Sequence, residues 1–408
     1  MAALKRINQD DLRNHNLSVV LSQILRSANP LSRAELAKST GLTKATMSLL
    51  VSLLIDHRVV KEGVPLVQAV YGRPSTPLII NEGRVCGIGM QINTDGYGYV
   101  VLDLDGSTIA ERWVAADLHD AHADEIFGDL DAMLLEQEKI LHEQDYVIAG
   151  SGLALPGLVT DDRHLIVARN LGWENIDLMK FPLVQRLDVV AGNESNMAAI
   201  AHLPGYASQA KGEGMVGPDG SFIYISTDIG IGGAIVRDGK VVIGNNGFAG
   251  ELGHLSVQMD GPLCHCGRHG CLEAYAGRRS MVENSGIAMG DDATSQEALE
   301  AFAKGVADGD PVMREVYENA FDAMVSTIVS VVNLTDVSTV IIGGCWSRMT
   351  AGEIERMRMR VQQEILSRDK VDIKIMCTRD MRRPALIGAA LVGLRRFVDN
   401  PLHYLEQQ

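Results

Sequence analysis

The 408-residue sequence lacks any stretch suited to crossing a membrane or to directing secretion. It contains no run of 18 or more apolar residues, whereas a spanning helix needs about 20. Residues 1–11 have no apolar core of the kind found in signal peptides. No membrane partner is therefore expected. The 46% of apolar and 22% of charged residues indicate ordinary globular cores rather than disorder.

Cysteine is also scarce, and three of the six cysteines fall within eight residues. These three are Cys264, Cys266 and Cys271, while the other three are scattered singly along the chain. Such a distribution does not fit the disulfide framework of a secreted protein. A reducing, cytoplasmic location is therefore expected.

The clustered thiols have the composition of a metal site. His254 lies ten residues upstream and completes a set of one imidazole and three thiols, which suits tetrahedral zinc. Gly267 and Gly270 supply the backbone freedom that a ligand loop needs. Two alternatives stay open: His265 or His269 as the fourth ligand, and buried thiols without a metal. We expect one structural Zn²⁺ per chain, held by His254, Cys264, Cys266 and Cys271.

Negative charge predominates overall but is unevenly distributed. The chain has 37 basic and 52 acidic side chains, which gives a net charge of −15. Residues 1–80 carry a net charge of +5 and the remaining residues −20. A basic N-terminal region on an acidic body indicates that this region alone binds nucleic acid. Chance variation in a short segment is the alternative.

The N-terminal region has the pattern of a helix-turn-helix. Apolar residues at helical spacing predict a first helix over residues 16–27. A capping box opens a short second helix over residues 32–38, and Thr43 caps a third helix over residues 44–55. Two short helices joined by a glycine turn are typical of DNA-binding proteins. A helical bundle that only packs on the rest of the protein is the alternative.

In that motif the last helix enters the major groove, and side chains near its N-terminus contact base edges. A strand pair at residues 57–63 and 66–70 would complete a winged form. In the following linker, Gly72-Arg73-Pro74 resembles the core of an AT-hook, in which the arginine enters a narrow minor groove. A stiff turn is the alternative there. The expected DNA-binding residues are Arg33, Thr43, Lys44, Ala45, Thr46, Ser48 and Arg73.

Two acids flank the metal loop. Glu251 precedes His254 by three residues, and Glu273 follows Cys271 by two. A zinc site would hold both carboxylates and the imidazole in one small volume. Carboxylates fixed beside a histidine can bind the hydroxyl groups of a sugar. Solvated surface acids are the alternative.

These motifs carry a resemblance to a known family. The pattern Glu-x-Gly-His followed by Cys-x-Cys-Gly-x-x-Gly-Cys-x-Glu resembles the zinc and sugar signature of the ROK family, which contains sugar kinases and sugar-responsive transcription repressors. Residues 32–43, with the pattern Ser-Arg-x-x-Leu-Ala-x-x-Thr-Gly-Leu-Thr, also resemble the N-terminal region of ROK repressors.

The resemblance implies an α/β fold in which a winged helix-turn-helix precedes a two-lobed, actin-like (ribonuclease-H-like) ROK domain with a sugar cleft between its lobes. The alternation of strands and long helices after residue 84 agrees with this fold. We expect the DNA-binding domain and its linker over residues 1–80. The first lobe is expected over residues 81–194 and about 378–408, and the second lobe, with the zinc and sugar site, over residues 195–377.

The kinase motifs of the family are altered in this chain. ROK kinases have an Asp-x-Gly-Gly-Thr turn whose amides accept ATP phosphates, but residues 89–93 read Gly-Met-Gln-Ile-Asn. The catalytic base of the family is the Asp of Asn-Asp-x-Asn, and Glu194 stands in its place. A longer side chain displaces the carboxylate. We therefore expect no catalytic residues and no enzyme. An ATP-dependent kinase of a hexose or N-acyl-hexosamine, carrying a DNA-binding head, is the alternative.

The sequence thus predicts a sugar-responsive transcriptional regulator, most simply a repressor, that binds operator DNA as a homodimer or homotetramer. Its effector is expected to be a sugar or a sugar phosphate. For Asn193, a role as a helix cap alone is the alternative to sugar binding. The expected sugar-binding residues are Asn193, Glu194, Glu251, His254 and Glu273.

Overall fold

The computed structural model describes residues 8–64, 76–160, 162–208, 216, 220–378 and 381–406. The α-helices are α1 (Gln9–Arg26), α2 (Arg33–Thr40), α3 (Lys44–Asp56), α4 (Ala123–Glu143), α5 (Pro182–Arg186), α6 (Glu194–Ile200), α7 (Glu273–Ala276), α8 (Arg278–Asn284), α9 (Gln296–Asp308), α10 (Pro311–Thr335), α11 (Ala351–Glu364), α12 (Pro384–Asp399) and α13 (Pro401–Leu405). In the described ranges, none of these helices has the length and apolar content needed to cross a bilayer.

The β-strands are β1 (Leu31–Ser32), β2 (Val60–Glu62), β3 (Pro77–Ile80), β4 (Val85–Asn93), β5 (Gly96–Asp103), β6 (Thr108–Ala115), β7 (Val147–Leu155), β8 (Leu158–Val159), β9 (His164–Ala168), β10 (Trp173–Asp177), β11 (Val190–Asn193), β12 (Phe222–Thr227), β13 (Ile231–Arg237), β14 (Lys240–Val241), β15 (Thr339–Gly344) and β16 (Lys374–Cys377). The chain forms two compact units. One unit comprises Met1–Gly212 with Arg383–Gln408, and the other comprises Glu213–Arg382.

The N-terminal head of the first unit contains α1 to α3. Helix α1 begins seven residues before its expected start, because Asn8 and Asp11 form a capping box that the apolar periodicity does not report. The capping box of Ser32 and Glu35 opens α2 as predicted, and the Thr43 hydroxyl accepts a hydrogen bond from the Thr46 amide at the start of α3. The apolar face of α1 is buried as its spacing predicts: Leu17, Val20, Leu21, Ile24 and Leu25.

A small antiparallel sheet with the order β1-β3-β2 completes the head. Strand β2 pairs with β3, with Val60 opposite Ile80. Strand β3 lies between β1 and β2 and pairs with both, and the expected pairing of residues 57–63 with 66–70 stays a prediction. Residues 66–70 and Arg73 lie outside the described residues.

The first lobe is built on a sheet with the strand order β11-β7-β4-β5-β6. Strands β4, β5 and β6 form an antiparallel meander, and β7 and β11 add parallel strands on the other side of β4. Helix α4 contributes Phe127 and Leu130 to one apolar core, and α12 contributes Leu394 and Phe397 to another. This sheet contains residues 89–93 in β4 and Asn193 at the end of β11.

The head and the first lobe share the second of these apolar cores. Leu21 of α1 and Leu54 of α3 belong to the same buried cluster as Phe397 of α12. The Asn14 side chain accepts a hydrogen bond of 3.0 Å from the amide of Leu402, at the start of α13. The head is therefore attached to the lobe by a packed interface, which is why the two form one compact unit.

The second unit repeats the sheet topology of the first. Its strand order is β14-β13-β12-β15-β16, again an antiparallel meander extended by two parallel strands. Helices α10 and α11 supply buried residues such as Phe321, Met324 and Met357 to its core. The repeated topology agrees with the expected two-lobed fold.

The expected lobe boundaries need correction. The first unit continues to residue 212 rather than 194, and the chain returns to it at residue 383 rather than about 378. The reason lies in α6, which packs against α12 of the first lobe. At Gly388 a Cβ atom would lie only 1.7 Å from the carbonyl oxygen of Met197. Contact this close between two backbones fixes α6 in the first unit.

Candidate functional site

The cysteine loop of the second unit is a tight hairpin. Isolated bridges join Ser256 to Cys271 and Leu263 to His269, and the amide of Cys264 donates to the carbonyl of Arg268 at 2.8 Å. Gly270 has a φ of +71°, and a Cβ atom there would lie 1.6 Å from the backbone oxygen of Gln258. Only glycine meets both conditions. The hairpin therefore returns the chain so that the three cysteines lie together.

The predicted metal ligands converge in the structure. One ligand atom from each of His254, Cys264, Cys266 and Cys271 lies within 4.8 Å of all the others. The Cys264 Sγ atom is 3.8 Å from His254 Nδ1, and the Cys266 and Cys271 Sγ atoms are 3.6 Å apart. A tetrahedral ion with Zn–S bonds of about 2.3 Å requires Sγ atoms roughly 3.8 Å apart. The donor set and its spacing thus fit a zinc ion.

The two competing histidines do not join this group. His269 Nδ1 lies 3.0 Å from the carbonyl oxygen of Gly261, and among the described residues neither His265 nor His269 belongs to a possible metal cluster. The backbone of His254 is held in place because its carbonyl oxygen accepts a 3.2 Å hydrogen bond from Arg268 Nη1. Burial raises the pKa of the Cys264 thiol to about 12. A bound cation would reverse that effect and favour the thiolate.

The two flanking acids lie beside the cluster. Glu273 begins α7, its Oε2 accepts a 2.9 Å hydrogen bond from the amide of Ile231, and its Oε1 lies 4.0 Å from Cys264 Sγ. Glu251 is exposed as a residue, and its carboxyl group is partly desolvated. This desolvation raises the pKa of Glu251, and the charge of Glu273 raises it further, while His254 opposes the shift. The three polar groups are therefore electrostatically coupled neighbours in the second unit.

Asn193 and Glu194 belong to the first unit. Asn193 Oδ1 accepts hydrogen bonds from the amides of Ser195 (2.8 Å) and Asn196 (3.4 Å), and its Nδ2 donates to the Gly157 carbonyl at 2.8 Å. The structure therefore supports the helix-cap alternative for Asn193. Glu194 is half-buried at the first position of α6. Glu251, His254 and Glu273 belong to the second unit.

The segment expected to correspond to the phosphate turn of ROK kinases is a regular strand. Residues 89–93 lie within β4, where Gly89 pairs with Val100 of β5 and with Gly152 of β7. A Cβ atom at Gly89 would meet backbone atoms of α12, and Gln91, on the same face of the strand, is only 5% exposed. The backbone of this segment thus pairs with the neighbouring strands of the sheet, and α12 fills the space beside it.

The head contains the two helices of the predicted helix-turn-helix, α2 and α3, with Gly41 in the left-handed conformation at the end of α2. Among the expected DNA-binding residues, Thr43, Lys44, Ala45 and Ser48 are exposed and Thr46 is half-buried. The hydroxyls of Thr43 and Thr46 lie 2.9 Å apart and bond to each other. Arg33 pairs with Glu62 of β2 at 3.0 Å, an interaction that the sequence pattern did not reveal. Arg33 therefore links the start of α2 to the small sheet through an exposed ion pair.

Similarity to known proteins agrees with this organisation. A model of the ROK family matches residues 99–395. The chain is 26% identical to a xylose repressor of Caldicellulosiruptor bescii over 97% of this chain and 99% of that protein. It is 28% identical to the xylose repressor of Bacillus subtilis over 68% of this chain and 69% of that protein. It is also 31% identical to the N-acetylmannosamine kinase of Salmonella typhi over 60% of this chain and 78% of that kinase.

Two solved structures show the fold. A ROK family transcriptional regulator, described as a homolog of the E. coli MLC protein, covers 97% of this chain with a TM-score of 0.75 and 23% identity, and all of that chain is covered. A ROK family glucokinase from Streptomyces griseus covers 75% of this chain, with a TM-score of 0.58, 23% identity and 98% of that chain covered. The expected α/β class is confirmed, and the chain belongs to the ROK family.

Proposed function

We propose that this protein is a sugar-responsive transcriptional repressor that binds operator DNA through its N-terminal head. The observation that carries the proposal is the presence, in one chain, of helices α2 and α3, where the helix-turn-helix is predicted and α3 has an exposed face, and of a ROK domain with a cluster of one histidine and three cysteines. The likeness along 97% of this chain to a C. bescii protein named xylose repressor supports the proposal. Xylose is therefore the first sugar to test.

The sugar site is proposed to be centred on Glu251, His254 and Glu273. A zinc ion held by His254, Cys264, Cys266 and Cys271 would supply a structural cross-link between the His254 turn and the cysteine hairpin. Because Nδ1 of His254 faces the Cys264 thiol, Nε2 is left to bond a sugar hydroxyl. Glu273 is oriented by the Ile231 amide, so its carboxylate needs little reordering to accept a second hydroxyl.

In the proposed mechanism, the attachment of the head to the first lobe allows the effector to change DNA binding. Because the head shares an apolar core with α12, it moves with the first lobe rather than independently of it. In a homodimer or homotetramer, an effector that rearranges the units would change the spacing of the two heads on a palindromic operator. Typical allosteric coupling changes affinity by about 5- to 150-fold. Such a repressor would act in the cytoplasm, where the three thiols stay reduced.

The alternative is an ATP-dependent sugar kinase, favoured by the likeness to the Salmonella typhi kinase over 60% of this chain. Two observations argue against it. Residues 89–93, where the resemblance to ROK kinases places the phosphate turn, lie in strand β4, and Glu194 stands where the resemblance places the aspartate base. Incubation with ATP and a panel of sugars separates the proposals, because a repressor releases no ADP above the sugar-free rate.

The proposal is tested directly by a thermal-shift screen of sugars and sugar 6-phosphates, with and without operator DNA. A ligand present at 100 times its Kd stabilises the folded state by about 2.7 kcal/mol. We expect one sugar class to raise the unfolding temperature and, at the same concentration, to change operator affinity. A sugar that binds without any effect on operator affinity would contradict the proposal.

A further inference from the structure

The third helix of the head presents one exposed face. Ala45, Ser48, Leu49 and Ser52 are all exposed, and their spacing places them on a single side of α3. Leu49 is 74% exposed, whereas Met47 and Leu50 beside it are buried in the core of the head. Leu49 is therefore not a displaced core residue. It projects from a surface that is otherwise formed by small side chains.

The side-chain types of α3 limit the ways in which this helix could recognise DNA bases. Its sequence, Lys-Ala-Thr-Met-Ser-Leu-Leu-Val-Ser-Leu-Leu-Ile-Asp, contains no Arg, Asn or Gln, so Lys44 and the exposed Ser48 and Ser52 are its groups for hydrogen bonds to base edges. The hydroxyls of Thr43 and Thr46 bond to each other while Thr43 caps the helix. Leu49 adds an apolar contact, and in the major groove the apolar partner is the 5-methyl group of thymine.

We propose that Leu49 reads the 5-methyl group of a thymine in each operator half-site, with Ala45, Ser48 and Ser52 allowing the helix to approach the bases closely. Three observations identify DNA as the occupant of this face. The helix is the third of the proposed helix-turn-helix, residues 1–80 carry a net charge of +5, and the exposed Lys44, five residues before Leu49, supplies a cation for a phosphate. This inference rests on the proposed repressor function and adds the base chemistry that the repressor selects.

The test uses the full-length protein and an operator obtained by selection from random duplexes. Each thymine is then replaced, in both half-sites, by deoxyuridine, which removes only the methyl group. For the unmodified protein we expect one position at which the replacement weakens binding by about fourfold per half-site, the value of one buried methyl group. For Leu49→Ala the same replacement should leave Kd essentially unchanged.

A matched control is Leu12→Ala, which removes the same side chain from a 53% exposed site on α1 of the same head. It should keep the deoxyuridine profile of the unmodified protein. Since Leu49 is exposed, Leu49→Ala should unfold at nearly the same temperature as the parent protein, so weaker binding would not reflect a damaged head.

The outcomes separate the inference from the function on which it rests. Selection of no duplex at all would refute the repressor proposal itself. A selected operator that tolerates deoxyuridine at every thymine, or an unchanged profile for Leu49→Ala, would overturn the Leu49 assignment alone. A change of oligomeric state by light scattering in Leu49→Ala, with the profile unchanged, would assign Leu49 to a contact between protein chains and would also overturn it.

Discussion

Substitution of Gly388 by alanine tests the packing that joins α12 to the rest of the first unit. A Cβ atom at this position would lie 1.7 Å from the carbonyl oxygen of Met197 and 2.6 Å from its carbonyl carbon. The obstacle is backbone, so no side-chain rotation relieves it, and α6 and α12 must separate by roughly 1 Å or more to restore ordinary contact distances. We expect a loss of about 3 kcal/mol, the upper end of the usual cost of overpacking. This corresponds to a fall in Tm of about 6–12 °C for a unit of this size.

The matched control is Gly128→Ala in α4, because Gly128 is exposed and a Cβ atom there meets nothing within 4 Å. Alanine should stabilise that helix by about 0.5–1 kcal/mol. Both variants are compared with the parent protein by differential scanning calorimetry. If Gly388→Ala unfolded at the parent temperature while remaining folded and soluble, the close contact between α6 and α12 and the lobe boundary inferred from it would be wrong.

Three further predictions concern the metal, the pH dependence and the sugar. Cys264→Ser should reduce bound zinc from about one ion per chain to near zero by plasma mass spectrometry, whereas His269→Ala should retain it, and equal zinc contents would contradict the ligand assignment. Burial lowers the pKa of His202 to about 4, below the unfolded value of about 6.5, so the unfolded chain binds the additional proton and stability is lost as pH falls from 6.5 towards 4. Between pH 7.5 and 5.0 the parent should lose about 2 kcal/mol more than His202→Gln in denaturant titrations, and parallel losses would exclude His202. Glu251→Gln should abolish the sugar-induced thermal shift while the exposed Glu315→Gln keeps it, and a preserved shift in Glu251→Gln would remove Glu251 from the site.

The sequence predicted the head well wherever one local rule acts alone. Apolar spacing located the buried face of α1, and the Ser32 box and the Thr43 cap located the starts of α2 and α3. Features of the head that depend on distant residues were not predicted. Strand β3 pairs with both β1 and β2, and no local pattern at residues 77–80 reports that pairing.

The lobe boundary was misplaced for a similar reason. The helix after Asn193 was predicted, but its packing against Gly388 depends on a residue far away in the sequence. Asn193 itself is a helix cap, a role that follows from local hydrogen bonds and that the sequence had left open beside sugar binding.

The candidate site was likewise predictable from the sequence only in part. Residue types and spacing were sufficient to propose a zinc site, yet three histidines competed for one ligand position. The hairpin geometry around Gly270 brings the three thiols towards His254 and leaves His269 bonded to the Gly261 carbonyl. The amide of Ile231, which orients Glu273, carries no signal in the sequence because any residue except proline supplies a backbone N–H.

The measurement that tests the central claim most directly is the operator affinity of the zinc-loaded, full-length protein with and without a saturating sugar that raises its Tm. The account predicts a change in Kd of about 5- to 150-fold and no release of ADP when ATP is added. An unchanged Kd with the sugar demonstrably bound, or steady ADP production from ATP and that sugar, would contradict it.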